Sequence, residues 1–105
     1  MSKTKRGEVW LADLGLAAKV RPVLVLSVAF GDADYALVSV IPHTTTARGS
    51  EFEVSLTVTW LQPGAFYIQG MLAVPDAKFL RKLGTLDASQ LQQIETGVKR
   101  WLGLT

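Results

Sequence analysis

"DASQLQQIETGVKRWLG", Asp87 to Gly103, is the stretch of this chain with a clear helical repeat, and it decides the fold class. Leu91, Ile94, Val98, Trp101 and Leu102 recur at the spacing of an apolar stripe on an α-helix. Asp87 is a good N-cap, and Gln90 three residues later completes a capping-box pattern. Gly103 suits the residue just past the helix end, where a left-handed backbone is common. Glu95 and Lys99 stand four apart and are expected to pair. Trp101, on the apolar stripe, is expected in the core.

Upstream of Asp87 the period changes. "GEVWLADL" (Gly7 to Leu14) roughly alternates and reads as a strand. Val20 to Ala29 reads as a second, largely buried strand, with Pro22 near its start, where a missing N–H is tolerated. Tyr35 to Pro42 is a third, rich in β-branched residues. "HTTTARGS" (His43 to Ser50) reads as a loop. "EFEVSL" (Glu51 to Leu56) alternates polar and apolar, as a strand with one wet face does. Ala65 to Pro75 holds one or two strands, with Gly70 marking a bulge or bend. "DAKF" (Asp76 to Phe79) suggests a short helical turn. Strands first, one helix last, and Gly/Pro turns between them: that order predicts a small, partly closed antiparallel barrel capped by a helix.

The chain has 105 residues, about half of them apolar, which suits one domain with a single modest core. It has no cysteine, which excludes a disulfide framework, a thiolate metal site and a cysteine nucleophile. The charged start lacks an apolar segment behind it, so no signal peptide is visible. No run approaches the roughly 20 apolar residues of a membrane span. A cytoplasmic protein is expected. The net charge of +2 permits contact with a polyanion without requiring it. Lys3, Lys5 and Arg6 cluster at one end, and Lys78, Arg81 and Lys82 near the other. Each cluster reads either as solvated surface or as part of a phosphate path.

Chemistry-bearing residues are few. The lone His43 makes no histidine metal cluster, and the carboxylates have no ligand spacing, so no metal and no cofactor is expected. Glycine-rich phosphate loops are missing. No serine sits in a nucleophile elbow. Two features remain. Arg21 stands at the mouth of the second strand in "KVRPVLVLS" (Lys19 to Ser27). "PHTTTARGS" (Pro42 to Ser50) follows the third, dense in hydroxyls and ending in Arg48 and Gly49. Arginine offers a two-pronged fork to phosphate and threonine a neutral donor. Threonine is also simply common at strand ends, so composition leaves both readings open.

These pieces, taken in order, resemble one family. "KRGEVWLADLG" (Lys5 to Gly15) is similar to its RG-[DE]-[IV]-W start. "KVRPVLVLS" is similar to its KRPxLVLS strand. "VSVIPHTTTARGSEFEVSL" (Val38 to Leu56) is similar to its P-x-T-[TS] turn and FEV strand. "KFLRKLGTLDASQLQQIETGVKRWLGL" (Lys78 to Leu104) is similar to its basic strand and last helix. The family is the MazF/PemK toxins of bacterial type II toxin–antitoxin systems, and the resemblance spans nearly the whole chain.

The resemblance implies an SH3-like barrel of the MazF/PemK/CcdB type over residues 1–105 and a homodimer. It implies metal-independent, sequence-selective cleavage of single-stranded RNA, an mRNA interferase activity. It also implies a cognate antitoxin, and operator DNA as a ligand of the toxin–antitoxin complex. Carried over by position, Arg21 and Thr44 match the family's catalytic arginine and threonine. Thr45 and Gly49 match flanking positions, and Arg48, Lys78 and Arg81 are the basic candidates for the RNA path. His43 is tempting for proton transfer. Strand alternation turns it away from Thr44, which argues for a structural role.

The chain also departs from the family. "DLGLAAK" (Asp13 to Lys19) is short and lacks the acidic residue of longer loops. Gln69 and Leu72 occupy an aspartate's place and a basic residue's place, and Pro75 stands where aspartate is common. These departures support an alternative reading, a catalytically degenerate member that binds nucleic acid or antitoxin without cleaving. A third reading, an SH3-like module for proline-rich peptides, would need a groove lined with aromatics. Trp10, Trp60 and Trp101 are scattered instead.

Overall fold

A computed structural model describes residues 2–15 and 19–104. Among these residues, seven strands precede one α-helix: β1 Glu8–Asp13, β2 Val20–Val25, β3 Leu37–Thr44, β4 Glu53–Val54, β5 Ala65–Tyr67, β6 Leu72–Pro75, β7 Phe79–Thr85 and α1 Ala88–Leu102. Every pairing is antiparallel. The ladder runs β4-β5-β3-β2-β1-β7, with β6 also paired to β3. This is the small, barrel-like antiparallel fold with a C-terminal helix that the order of patterns predicts, and the sheet stays open between β4 and β7.

Alternation along the central strands feeds two apolar clusters. Val9, Leu24 and Ile41 join Phe66, Ile68 and the helix residues Ile94 and Val98. Ala12, Val23, Val25, Val38 and Val40 join Val74 and Phe79. Successive residues of β2 therefore serve opposite clusters, as a period of two requires.

The helix ends as its sequence specifies. The Asp87 carboxylate accepts the Gln90 N–H at 2.8 Å, and the Gln90 side chain accepts the Asp87 N–H at 3.0 Å. Gly103 takes a left-handed φ of 67°. Ile94, Gly97 and Val98 are its buried face. A Cβ on Gly97 would lie 2.2 Å from Ile68 Cδ1, so glycine is what lets the helix sit this close to the residue after β5.

Two expectations about the helix are corrected. Trp101 is 42% exposed. It lies in the last turn, where its ring meets Phe52 at 5.0 Å instead of entering the core. Glu95 pairs with Arg6, which also donates to the Leu26 carbonyl and so ties the N-terminal segment to the helix. A partner distant in sequence, from the N-terminal segment, takes the place of the expected Lys99.

Strand limits also shift. β2 stops at Val25 rather than Ala29, because Ser27 turns its hydroxyl to accept the Ser39 N–H at 3.0 Å. β3 begins later and runs on through His43 and Thr44, because β5 pairs with those two residues. The predicted strand at residues 51–56 is reduced to Glu53 and Val54. Between β5 and β6 the chain makes a 3-10 turn, Ile68–Gly70. A Cβ on Gly70 would fall 2.1 Å from the Tyr67 ring, which is why the bend sits at a glycine. The helical turn read at "DAKF" is a 3-10 turn, Asp76–Lys78. Residues 16–18 of the short "DLGLAAK" connection lie outside the described residues.

Candidate functional site

Arg21 and Thr44 come from neighbouring strands. The β2–β3 ladder pairs Val23 with Pro42, Leu24 with Ile41 and Val25 with Val40. Carried two residues further, the same register sets Arg21 opposite Thr44, and cross-strand partners share a face of the sheet. That face is the one that buries Val23, Val25, Val38 and Val40. The two apolar rows thus end in an arginine and a threonine, both half-buried.

Both line a depression of about 550 Å³, with Thr46, Arg48, Ser50, Glu53, Tyr67, Gln69 and Gly70. Arg21 and Arg48 bring positive charge, and Thr44, Thr46, Ser50 and Tyr67 bring hydroxyls. A group with anionic oxygens and a ring or amide beside them suits that lining.

The rim loop after Thr44 is held by its own side chains. Thr44 Oγ1 accepts the Thr46 N–H at 3.1 Å. The Glu53 carboxylate accepts the Arg48 N–H at 3.0 Å and the Ser50 N–H at 3.0 Å. Ser50 Oγ accepts the Phe52 N–H at 3.0 Å. Gly49, at φ 78°, allows the turn between Arg48 and Ser50. The Arg48 N–H first, and then those of Ser50 and Gly49, hold the Glu53 carboxyl below its ordinary value. A carboxylate so occupied is a weak base, although it lines the depression.

A second depression, about 420 Å³, adjoins the first. Arg21, Thr44 and Thr46 line both, so they form the ridge between the two. Val20, Pro22, Leu61, Gln62 and Thr45 are among its walls. His43 lies beneath it, 3% exposed, with its ring edge-on to Phe66 at 5.0 Å. Burial pushes the His43 imidazole below its ordinary pKa. The alternation that separates His43 from Thr44 is present in β3.

The structure brings Arg21, Thr44, Thr45 and Arg48 around this ridge. It does not bring Lys78 and Arg81 there. Arg81 lies on β7 opposite Leu11, and β1 separates that strand from β2. Lys78 ends the 3-10 turn before β7. Leu72, in the place of the family's basic residue, pairs with Val40 and packs on the second cluster. Thr46, Ser50, Glu53 and Tyr67 were missed from the sequence. Thr46 and Ser50 lay within the hydroxyl-rich stretch, whereas Tyr67 reaches the site only through β5 pairing. No group of three His, Asp or Glu side chains gathers at one point among the described residues. No helix among them is long and apolar enough to cross a membrane.

An open antiparallel sheet with one capping helix, carrying an arginine and a threonine on a hydroxyl-lined depression, defines a small β-barrel-like protein. Residues 5–102 match the family described as "PemK-like, MazF-like toxin of type II toxin-antitoxin system", and the chain belongs to it. It is a toxin of a type II toxin–antitoxin system. Among solved structures, it is similar to the Mycobacterium tuberculosis toxin MazF-mt6, with 30% identity and a TM-score of 0.81 over 93% of this chain and 98% of that one. A mycobacterial endoribonuclease in complex with its cognate antitoxin shares the fold, with 24% identity and a TM-score of 0.83 over 97% of each chain. So does MazF of the Deinococcus radiodurans MazE–MazF complex, at 22% identity and a TM-score of 0.80 over 97% of this chain and 98% of that one.

Proposed function

We propose that this toxin is a metal-independent endoribonuclease that cleaves single-stranded RNA, mRNA above all, with Arg21 and Thr44 at the scissile phosphate. The observation that carries the reading is their register: an arginine and a threonine on adjacent strands, facing one depression. The 2′-hydroxyl gives up its proton to water and attacks the adjacent phosphorus as the bond to the 5′-oxygen breaks, and the departing oxygen takes up one proton. A 2′,3′-cyclic phosphate forms and a 5′-hydroxyl leaves. Charge builds on the phosphoryl oxygens, where preorganised donors stabilise the transition state most. Arg21 supplies the charge and donates to the leaving oxygen. Thr44 hydrogen-bonds a non-bridging oxygen, and Arg48, with Thr45 beside it, holds the flanking backbone.

The toxin's partner is a cognate antitoxin whose chain occupies the same depression, in keeping with relatives that were solved in complex with theirs. The protein works in the cytoplasm as a homodimer, and reaches operator DNA together with its antitoxin. Leu72 in place of a basic residue favours a second reading, a member that binds RNA or antitoxin without cleaving it. One experiment separates them. Recombinant protein is incubated with single-stranded RNA in EDTA, and the ends are analysed. The leading reading requires cyclic phosphate and 5′-hydroxyl ends, lost in a folded Arg21→Ala variant. Cleavage that survives in the variant overturns the site, and salt-sensitive binding without cleavage selects the second reading.

A further inference from the structure

We propose that the second depression receives the base of one nucleotide flanking the scissile phosphate, and that Gln62 is the side chain that reads it. This rests on the phosphate lying at Arg21 and Thr44. Those two residues and Thr46 form the ridge shared by both depressions. A phosphate on that ridge has a cavity on either side, and an RNA chain has a nucleotide on either side of each phosphate.

The second cavity has the shape and chemistry of a base pocket. Its volume of about 420 Å³ is in the range of a small-ligand site. Val20, Pro22 and Leu61 give it apolar walls, and Val20 is 49% exposed, an apolar surface left for a flat ring to cover. Gln62 is exposed at the rim. Its amide carries a donor and an acceptor, which is what the Watson–Crick edge of an unstacked base presents in return. His43 closes the bottom, and its buried Nε2 has no hydrogen-bond partner in the chain. The depression thus sets apolar walls from Val20, Pro22 and Leu61 beside the Gln62 amide and the Thr45 and Thr46 hydroxyls.

The first depression has its own amide, Gln69, and its own ring, Tyr67. The two glutamines stand on opposite sides of the ridge and belong to different loops, before and after β5. Each reads a different base, so sequence selectivity next to the cut divides between them.

Binding tests this directly. Fluorescent RNA oligomers carry every central dinucleotide, with a 2′-deoxy sugar on its 5′ member to prevent cleavage. Affinities are measured by anisotropy for the wild type, Gln62→Leu and Gln69→Leu. The wild type is expected to discriminate about tenfold or more at both central positions, since a site built to hydrogen-bond penalises a mismatched edge. Gln62→Leu should lose discrimination at one position and Gln69→Leu at the other. Wild-type discrimination retained in Gln62→Leu overturns the proposal, as does loss at the same position in both variants, or a wild type without base preference. Unmodified oligomers run alongside report cleavage separately. Absence of cleavage there removes the endoribonuclease reading, while the base pocket still stands or falls on binding.

Discussion

Arg21 faces Thr44 across β2 and β3, two residues beyond the last ladder pair, Val23 with Pro42. The pair marks the point where two rows of buried valines give way to solvent. Arg21 and Thr44 lie within β2 and β3, so strands rather than a loop carry them. This is the preorganisation that stabilising a developing phosphoryl charge requires.

Thr44 is the sharper member of the pair to test. Its Oγ1 already accepts the Thr46 N–H, which leaves its O–H donor and a second lone pair. Thr44→Val keeps the shape and removes that donor. Cleavage should fall by about a hundredfold, the usual loss for one oxyanion-type donor. Thr44→Ser should retain most of the rate. Single-turnover cleavage of one labelled RNA measures both, and equal rates for wild type and valine would remove Thr44 from the chemistry.

Glu53 predicts an acid limit for the rim loop. Its folded carboxyl is held below the ordinary value of 4.5, chiefly by the Arg48 N–H. A depressed carboxylate contributes order that is fully present above the unfolded value and is lost as pH falls through the folded one. Amide shifts of Arg48 and Ser50 should therefore move together, with a midpoint below 4.5, in an NMR titration. Glu53→Gln should abolish that transition. A midpoint above the ordinary value would mean that the amides do not hold the charge.

What was legible in the sequence was local. The capping box at Asp87 and Gln90, the end at Gly103 and the start of β2 at Val20 depend on neighbours within a turn. What was not legible depends on pairing across the chain. β3 extends through Thr44 because distant Phe66 and Ala65 pair with its end. β5 and β6 are separate strands because the close approach at Gly70 bends the chain between them. Trp101 fits the helical period but lies in the last turn, where Phe52 covers it only in part. The same division runs through the site. Arg21, Thr44 and Arg48 stood in two recognisable stretches, whereas Tyr67 and Glu53 arrive by register and loop closure.

Gly97 sets two known effects against each other. Replacing a mid-helix glycine by alanine favours the helix by about 1 kcal/mol. The new Cβ would meet Ile68 Cδ1 at 2.2 Å, and Ile68 is fully buried. Overpacking of that kind costs about 1–3 kcal/mol. Gly97→Ala should therefore destabilise by about 1 kcal/mol net, as the penalty exceeds the propensity gain. Urea unfolding gives the sign, and a stabilised variant would show that the helix can move off the 3-10 turn freely.

His43 gives stability a slope with pH. The imidazole is buried beside Phe66, and burial lowers its folded pKa from 6.5. Charging is therefore easier in the unfolded chain. Below pH 6.5 the unfolded state takes up a proton that the folded state refuses, until the folded value is reached. Stability is fully present above that pH and declines as pH falls through the interval. His43→Leu removes the titrating group and also an Nε2 that has no partner. A buried unsatisfied polar atom costs about 1–3 kcal/mol, so the leucine variant should be at least as stable as wild type near pH 7. Its advantage should widen toward pH 5, in a series of thermal melts of both proteins. Parallel melting curves at every pH would show that His43 is not the source of the slope.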